Sequence, residues 1–423
     1  MFKSKTVRWK IAFLLCLVSG LNCLDRNALA VLANTIKGEF NWSDADYADI
    51  TAVFIFSYTL MYAFSGWIVD RIGTKKGFAL FAGGWSLVSI LHAFAGSIMQ
   101  FSIVRFFLGI TESANFPAGV KASSEWFPVK ERALAIGIFN AGTAIGGAIA
   151  VPVISFLAIA FGWRAAFVVT GMLGFVWLFF WIKYYHLPQK HPRISDEEKR
   201  LILGDEQPRT SEAGTEQPVK LKRLLSRKAT WGCFSARIFI DPVTYFILFW
   251  IPKYLQDTQG LSLSELGLTA WLPYLTMGLG GILGGYLPRY LINRYGWSLN
   301  RARKTVMLAA SLIIPLLCLL LLSGVNLIVA IAAVSGITLT HNLWGNIAIP
   351  SEIYPKNVQA TITGIGGTLG GITGVISQKV IGTTIGAYSY LPVFIYMGAA
   401  YLISLLCVSL LVGKLGVIKT IDN

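Results

Sequence analysis

The stretch EWFPVKERALAIG, from Glu125 to Gly137, has a counterpart in EIYPKNVQATITG, from Glu352 to Gly364. The two stretches align without gaps and share identical residues at a constant separation: Glu125 with Glu352, Pro128 with Pro355, Ala133 with Ala360 and Gly137 with Gly364. Each copy follows one long apolar run and precedes another. The chain therefore contains two related halves, and this relation decides the predicted fold.

Long apolar runs surround both copies. The 423 residues are 55 % hydrophobic and 13 % charged, with a mean hydropathy of +0.61, whereas a soluble globular protein has about 25 % charged residues. A run of about 20 apolar residues crosses a hydrocarbon core of about 30 Å. We predict an all-α polytopic membrane protein whose twelve transmembrane helices cover roughly residues 10–34, 47–69, 77–97, 100–121, 133–158, 163–184, 230–254, 264–288, 304–323, 327–349, 360–384 and 389–412. The first run follows the basic stretch MFKSKTVRWK and is expected to be retained as a span rather than cleaved as a signal peptide.

The basic residues are distributed unevenly between the two sides of these spans. The chain has 36 Lys and Arg against 21 Asp and Glu, a net charge of +15. With the N-terminus inside, 29 of the 36 Lys and Arg residues lie on the cytoplasmic side and only Lys37, Arg164 and Lys253 lie on the outer side, which is the positive-inside pattern. We therefore expect a protein of the bacterial inner membrane with both termini in the cytoplasm and the lipid bilayer as partner. Nucleic acid is not needed to explain the charge.

The five cysteines lie in apolar runs without a C-x-x-C pair, so neither a disulfide frame nor a metal site is predicted.

A polar stretch rich in Pro, Ser, Glu and Lys divides the chain into an N-terminal six-helix half (1–184), a cytoplasmic linker (185–229) and a C-terminal six-helix half (230–423). We expect a solvated linker with one or two short amphipathic helices. Two six-helix halves related by a parallel repeat are a known transporter architecture, with the substrate held between the halves near the midplane. Because one chain supplies both halves, a functional monomer is expected.

The loop GWIVDRIGTKKG, from Gly66 to Gly77, resembles the signature loop after the second span of the major facilitator superfamily, and GGYLPRYLINRYG is a degraded second copy. Within that superfamily the chain is similar to the anion:cation symporters through LDRNAL, VRFFLGITESANFPAG and TYFILFWIPKYL. Its segments PAGVKASSEWFPVKER and LPYLTMGLGGILGGYLPRYL resemble those of hexuronate transporters. The resemblance implies proton-coupled uptake of a sugar-acid anion by alternating access, with the proton as coupling ion and no cofactor.

Ionisable side chains inside the bilayer cost about 2.5–3.5 kcal/mol each and are functional candidates by default. Arg105 and Glu112 are two helical turns apart and share a face, about 10 Å apart along the axis. Arg105 favours ionised Glu112, while desolvation favours the protonated acid. We predict that Glu112 carries the proton; a structural charge network is the alternative.

Asp25 and Arg26 are neighbours in the first span and diverge by about 100° around the helix, so they cannot pair face to face. The guanidinium fork of arginine matches a carboxylate in two parallel bonds, and the resemblance assigns this role to Arg26. We predict that Arg26 anchors the substrate anion and that Asp25 is a second titrating group or pairs with another helix. A structural role is the alternative for each.

A sugar acid also needs partners for its hydroxyl groups, and Tyr, Asn and His side chains supply them. The predicted substrate-binding residues besides Arg26 are Tyr58, Asn140, Tyr245, His341 and Asn342. Each of these residues alone is equally compatible with helix packing.

Two further features have simpler interpretations. Arg237 and Asp241 lie one turn apart in the seventh span and can pair within the helix, and Pro242 after them is able to break that helix. In GIGGTLGGITG, Gly366, Gly370 and Gly374 have the spacing of close helix packing in membranes.

In the signature loop, Asp70 and Arg71 stand at a helix end. A carboxylate at this place can meet a helix N-terminus or a basic group from the next helix. We predict that the loop latches one conformation, so breaking it shifts the inward–outward population without abolishing binding.

The leading hypothesis is a proton-coupled symporter of a hexuronate such as glucuronate or galacturonate. An aldonate or aldarate (galactonate, glucarate), another organic anion, coupling to Na⁺ instead of H⁺, a drug-exporting antiporter and a binding sensor remain as alternatives. The buried arginines argue against cationic drugs. An enzyme is not expected, because the four histidines have no nucleophile–base or metal-ligand spacing within the membrane.

Overall fold

The computed structural model describes residues 6–204, 221–354 and 356–415. Within these ranges the chain forms α-helices joined by short 3₁₀ turns, with one π-helical turn near the end and no β-strand. The prediction of an all-α protein is confirmed for the described part of the chain.

Among the described residues, ten α-helices belong to the N-terminal half and the linker. They are α1 (Val7–Val31), α2 (Ala33–Phe40), α3 (Asp44–Ile72), α4 (Thr74–Leu91), α5 (Ile98–Glu112), α6 (Asn115–Trp126), α7 (Val129–Phe161), α8 (Trp163–Tyr184), α9 (Asp196–Gly204) and α10 (Leu221–Leu225).

The C-terminal half repeats this pattern of long helices. It contains α11 (Lys228–Gln259), α12 (Leu263–Thr269), α13 (Leu272–Tyr295), α14 (Leu299–Leu322), α15 (Leu327–Trp344), α16 (Ile349–Ile353), α17 (Lys356–Tyr388) and α18 (Leu391–Cys407).

Nine of the described helical segments are long and apolar enough to cross a membrane. Asp44–Tyr62 and Phe64–Ile72, the two arms of α3, are bent by 49° and would make a tenth span together. The two remaining predicted spans correspond to α5 with α6 and to α17. At 15 residues α5 is only about 22 Å long, so it needs α6 to complete a crossing, and α17 is rich in glycine and threonine.

The predicted fourth span, 100–121, is interrupted between α5 and α6, which sequence reasoning did not anticipate. Pro117 has no N–H and cannot bond the carbonyl of Ser113 four residues earlier. The hydroxyl of Ser65 donates to that carbonyl at 3.3 Å instead. The break therefore follows from the proline, and it places Glu112 at the last turn of α5 rather than in mid-helix.

The expectation that Pro242 breaks the seventh span is wrong. Helix α11 is continuous through both Pro242 and Pro252. This helix has 32 residues, many of them buried. Its packing offsets the hydrogen bond that is lost at each proline.

The chain divides by internal contacts into two compact units. Unit 1 comprises Met1–Ala28 and Ser57–Glu216, and unit 2 comprises Leu29–Phe56 and Gln217–Asn423. This division follows packing rather than chain order, since the end of α1, all of α2 and the start of α3 belong to unit 2. The boundaries predicted from sequence, at 184/185 and 229/230, stay a prediction.

Helices α1 and α7 of unit 1 cross at their backbones. A Cβ atom added to Gly142 would lie 2.0 Å from the carbonyl oxygen of Cys16, and one added to Gly146 would lie 2.3 Å from that of Gly20. These glycines therefore allow contact between backbones, as the small-residue spacing of NAGTAIGGAIA predicts.

In unit 1 the repeated motif ties the loop after α6 to two other elements. Glu125 accepts a hydrogen bond from the Thr74 hydroxyl at 2.7 Å, at the start of α4, and a second bond from Tyr185. Phe127 packs edge-on against Trp9 near the start of α1, with ring centroids 5.4 Å apart.

In unit 2 the second copy makes the equivalent contacts. Glu352 pairs with Arg303 near the start of α14, with Nε and Oε1 3.2 Å apart, and the hydroxyl groups of Tyr354 and Thr230 are 2.7 Å apart near the start of α11. In each unit, the motif thus joins the first membrane span of its half (α1 or α11) to the third (α4 or α14). The internal duplication seen in the sequence is confirmed by these contacts.

The linker helix α9 docks onto the start of α1. The buried carboxylate of Glu198 accepts hydrogen bonds from the backbone N–H groups of Val7 and Arg8, at 3.2 and 3.1 Å. Helix N-termini have free donors that an acid side chain satisfies. The expected short linker helices are present, but α9 is attached to unit 1 rather than fully solvated.

Residues 29–56 are held in unit 2 by a charge cluster with α11. Lys253 is buried, and its Nζ lies 2.9 Å from Oδ1 of Asp44 and also pairs with Asp257. Lys37 in α2 pairs with the same Asp44. Burial lowers the pKa of Lys37, and the hydrogen bond that Lys37 donates to Asp44 opposes this effect.

Candidate functional site

Arg26 of α1 and Glu112 of α5 form an ion pair in unit 1. The Nε atom of Arg26 donates to Oε2 of Glu112 at 2.9 Å. The Glu112 side chain has no exposed surface, whereas 21 % of the Arg26 side chain is exposed. Oε1 of Glu112 accepts no hydrogen bond from any described residue. The pair is therefore an accessible cation held by a buried carboxylate.

Further contacts fix the plane of the Arg26 guanidinium. Its central carbon lies 4.9 Å from the centroid of the Tyr58 ring, at cation–π distance. Its Nη2 atom donates to Oδ1 of Asn22 at 3.4 Å, and Asn115 donates to the same oxygen at 3.2 Å. A ring below and an amide at the edge orient the guanidinium, which is what recognition of a planar carboxylate requires.

Asp25 has a separate environment on the neighbouring face of α1. Oδ1 of Asp25 accepts a hydrogen bond from the Ser89 hydroxyl of α4 at 2.8 Å, and Ser89 lies 3.3 Å from the hydroxyl of Thr170. Asp25 is 1 % exposed, and its Oδ2 atom accepts no hydrogen bond within the described residues. Asp25 and Arg26 thus contact different helices.

Arg105, predicted to act on Glu112, is buried on α5 two turns before it. Its Nη1 atom donates to the backbone oxygen of Arg26 at 3.5 Å. Arg105 therefore links α5 to α1 at the turn that carries the predicted anion anchor, and the cation that pairs directly with Glu112 is Arg26.

Of the other predicted ligands, Asn140 is in unit 1, on α7, and is exposed. The remaining three are in unit 2. Tyr245 of α11 stacks on Phe249, and Asn342 of α15 donates to the backbone oxygen of Met277 at 2.8 Å.

His341 is buried, and protein groups occupy both of its ring nitrogens. Nε2 lies 3.1 Å from the Thr244 hydroxyl, and Nδ1 is hydrogen-bonded to Tyr401. This histidine joins α15 to α11 and α18, so its geometry supports packing rather than the predicted contact with substrate.

The signature-loop residues Asp70 and Arg71 lie in the last turn of α3, in unit 1. Asp70 pairs with Lys121 of α6 at 2.7 Å rather than with a basic group from the next helix, α4. Arg71 is exposed and lies over the Trp67 ring at 5.3 Å. The Asp70–Lys121 pair therefore joins α3 to α6 within the unit.

A model of the Major Facilitator Superfamily matches residues 15–378 of the chain. The chain belongs to the Major Facilitator Superfamily. This superfamily of membrane transporters accounts for the twelve spans and the duplicated six-helix pattern described above.

Two superfamily members of known substrate are similar to this chain over most of its length. A hexuronate transporter of Escherichia coli strain K12 is 32 % identical over 395 residues, covering 93 % of this chain and 91 % of the relative. A galacturonate transporter of Dickeya chrysanthemi is 36 % identical over 313 residues, covering 74 % of this chain and 90 % of the relative.

Among solved structures, a bacterial homologue of the human lysosomal transporter Spinster superposes with a TM-score of 0.74 at 18 % identity. The match covers 96 % of both chains. The prediction of a superfamily fold with twelve transmembrane helices is confirmed, and the chain is a multi-pass membrane transporter.

The sequence did not predict Asn22 and Asn115 as neighbours of Arg26, or Ser89 as the partner of Asp25. Asn22 lies four residues before Arg26, so helical spacing alone places both on one face. Asn115 and Ser89 gave no such signal, because their contacts depend on how α1 packs against other helices.

Within the described residues, no group of three or more His, Cys, Asp or Glu side chains is placed to hold a metal ion.

Proposed function

We propose that the protein is a proton-coupled importer of a sugar-acid anion, with a hexuronate such as glucuronate or galacturonate as substrate. One observation carries the proposal: Arg26 is oriented by Tyr58 and Asn22 and held by the buried carboxylate of Glu112 at 2.9 Å. The substrates named for the two similar transporters, a hexuronate and galacturonate, are anions of the type this arginine would bind.

The ion pair supplies a coupling mechanism. Ionised Glu112 and a substrate carboxylate compete for the same guanidinium. When a proton is taken up at Glu112, its attraction for Arg26 falls and the guanidinium becomes available for the substrate in charge-assisted hydrogen bonds. Release of the proton re-forms the pair and displaces the anion. Proton and substrate are therefore carried together through alternating access.

Asp25 is the second proposed proton-carrying group. It is buried one position before Arg26 and has one oxygen without a hydrogen bond from the described residues. The Ser89 hydroxyl donates to its other oxygen and can do so whether Asp25 is ionised or protonated. Proton uptake at Asp25 would increase the charge moved with each anion.

The remaining parts of the proposal concern the setting of the protein. It works as a monomer in the bacterial inner membrane with both termini in the cytoplasm. It needs no cofactor or metal and catalyses no chemical reaction, and nucleic acid is not a partner. The protein is the carrier rather than a sensor, so binding is followed by translocation.

Counterflow in proteoliposomes tests the substrate class. Vesicles loaded with an unlabelled acid are diluted into labelled glucuronate, and the loaded acid is varied among glucuronate, galacturonate, galactonate and glucarate. We expect the two uronates to drive the largest accumulation. Accumulation driven best by galactonate or glucarate would instead assign an aldonate or aldarate, and accumulation with none of the acids would overturn the proposal.

The same assay tests the anchor residue. Arg26→Gln is expected to remove counterflow, because the anion loses its charged partner. Arg164→Gln is the matched control, since Arg164 is an exposed arginine that also lies over an aromatic ring, Trp163, at 4.2 Å. Wild-type counterflow in Arg26→Gln would contradict the assignment.

A further inference from the structure

Unit 2 contains a second arginine–carboxylate pair that the mechanism above does not use. Nε of Arg237 lies 2.9 Å from Oδ2 of Asp241, one turn later on α11. Asn346 donates to the other oxygen, Oδ1, at 3.1 Å. The carboxylate side chain is 8 % exposed and that of the arginine 22 %, so this pair also presents an accessible cation on a buried acid.

Helix α17 leaves open space for this pair. A Cβ atom on Gly370 would lie 1.8 Å from Oδ2 of Asp241, so the carboxylate rests against bare backbone. A Cβ atom on Gly367 would lie 3.6 Å from Nη2 of Arg237. Gly366, Gly370 and Gly374 of α17 all face side chains of α11, which is the close helix packing that their spacing predicts.

Arg237 is held by charge rather than by a hydrogen bond. Its Nε atom lies 2.9 Å from Oδ2 of Asp241 but donates no hydrogen bond to any residue in the described part of the chain, and 22 % of the arginine side chain is exposed. A guanidinium has five N–H donors in a planar fork, so an arginine held by one ion pair can still bind a second oxyanion. Because a charged side chain in a membrane helix costs free energy, Arg237 is a candidate for a functional role such as anion binding.

Arg237 is not the repeat counterpart of Arg26. The position of each arginine along its helix can be measured from the residue of that helix that contacts the repeated motif, Trp9 for α1 and Thr230 for α11. Arg237 follows Thr230 by seven residues, about 11 Å of helix, whereas Arg26 follows Trp9 by 17 residues, about 26 Å. Arg237 therefore lies closer to the end of its helix at which the repeated motif packs, the end that we assign to the cytoplasm.

We propose that Arg237 is a second anion-binding residue, which holds the carboxylate of the transported sugar acid at the cytoplasmic end of unit 2, with Asp241 as its resident counterion. The inference rests on the proposed function, because the ligand is the same small organic anion. Binding at Arg237 is transient, since Asp241 competes for the guanidinium and returns the anion to solution.

The test compares the two faces of the membrane. Initial rates of labelled glucuronate exchange are measured in inside-out and right-side-out vesicles that contain the full chain. Arg237→Gln is expected to raise the KM for glucuronate offered at the cytoplasmic face at least about tenfold, the loss typical of a hydrogen bond to a charged group. The KM at the opposite face is expected to change less than about twofold.

Two further variants keep the test decisive if Arg237→Gln fails to fold. Asp241→Asn removes the competing counterion and is expected to lower the KM at the cytoplasmic face. Gly367→Leu fills the space beside Nη2 and is expected to raise it, while Gly364→Leu on the same helix, where a Cβ atom would meet nothing within 4 Å, is the control.

The outcomes separate the two proposals. Equal KM changes at both faces in Arg237→Gln, or no change at either face, would overturn the role of Arg237 and leave glucuronate transport intact. Absence of glucuronate exchange in the wild-type protein would overturn both the proposed function and this inference.

Discussion

At the residue scale, the site in unit 1 depends on which partner each charged side chain meets. Arg26 is bound to Glu112, and Asp25 is bound to Ser89. Two adjacent charges on α1 therefore serve separate helices, α5 and α4. An unpaired buried charge costs free energy. Protonation of Glu112 therefore leaves the Arg26 guanidinium in need of another anionic partner.

The Tyr58 ring is expected to contribute to substrate affinity through Arg26. Tyr58→Leu removes the cation–π contact, which is worth about 0.5–2 kcal/mol, so the KM for glucuronate should rise about two- to thirtyfold. Tyr58→Phe keeps the ring and is the matched control, with a KM near that of the wild type. Concentration-dependent uptake in proteoliposomes measures both. Equal KM increases in the two variants would show that the hydroxyl group, rather than the ring, is what matters.

At the element scale, glycines decide how closely helices approach. Gly142 and Gly146 bring α7 against the backbone of α1, the helix that carries Asp25 and Arg26. Interhelical attraction in a membrane comes largely from such close packing. The position of the charged site therefore depends on residues that carry no charge.

Gly142→Leu is expected to destabilise the protein, because its Cβ atom would lie 2.0 Å from a carbonyl oxygen of α1. Overpacking of this kind costs about 1–3 kcal/mol, which should appear as a lower Tm of the purified protein in detergent. Gly137→Leu on the same helix is the control, since a Cβ atom there meets nothing within 4 Å. If the two variants have the same Tm, the account of the α1–α7 contact is wrong.

At the scale of the whole molecule, a transporter must change conformation without unfolding. The exposed pair of Asp70 and Lys121 joins α3 to α6, and 72 % of the Asp70 side chain is accessible to solvent. Exposed pairs contribute about 0–1 kcal/mol. A contact of this strength biases an equilibrium without determining whether the protein folds.

Asp70→Asn is expected to change the ratio of inward- to outward-facing molecules by at most about fivefold and to leave glucuronate binding in place. Distance distributions between spin labels on the two halves would report the ratio, with Lys76→Gln in the same loop as the control. Complete loss of binding in Asp70→Asn would refute a latch role and indicate a structural one.

Much of the fold was predictable because hydropathy, the distribution of basic residues and the repeated motif all report on it directly. Glu125 and Glu352 were matched in sequence, and each was found tied to the third membrane span of its own half, α4 or α14. The break after Glu112 was missed because it arises from one proline, Pro117, within an otherwise apolar run. Similar prolines in α11 leave that helix continuous.

The candidate site was predictable only as a set of separate residues. Arg26 and Glu112 were selected because ionisable groups are costly in a bilayer, but their pairing depends on the packing of α1 against α5. For the same reason Asn115 was missed, and His341 was proposed as a ligand although protein partners occupy its ring. Gly370 was assigned to helix packing and does pack against α11, but the sequence did not show that its contact is the carboxylate of Asp241.

The most direct test of the central claim is uptake of labelled glucuronate into proteoliposomes with an imposed pH gradient, acid outside. The account predicts accumulation above the external concentration only while the gradient lasts, and its collapse when a protonophore is added. Glu112→Gln should lose this accumulation but retain exchange, with Glu265→Gln at an exposed helix cap as the control. Equal uptake with and without the gradient, accumulation driven by Na⁺ instead, or full uphill uptake by Glu112→Gln would contradict the claim that the Arg26–Glu112 pair couples protons to a sugar acid.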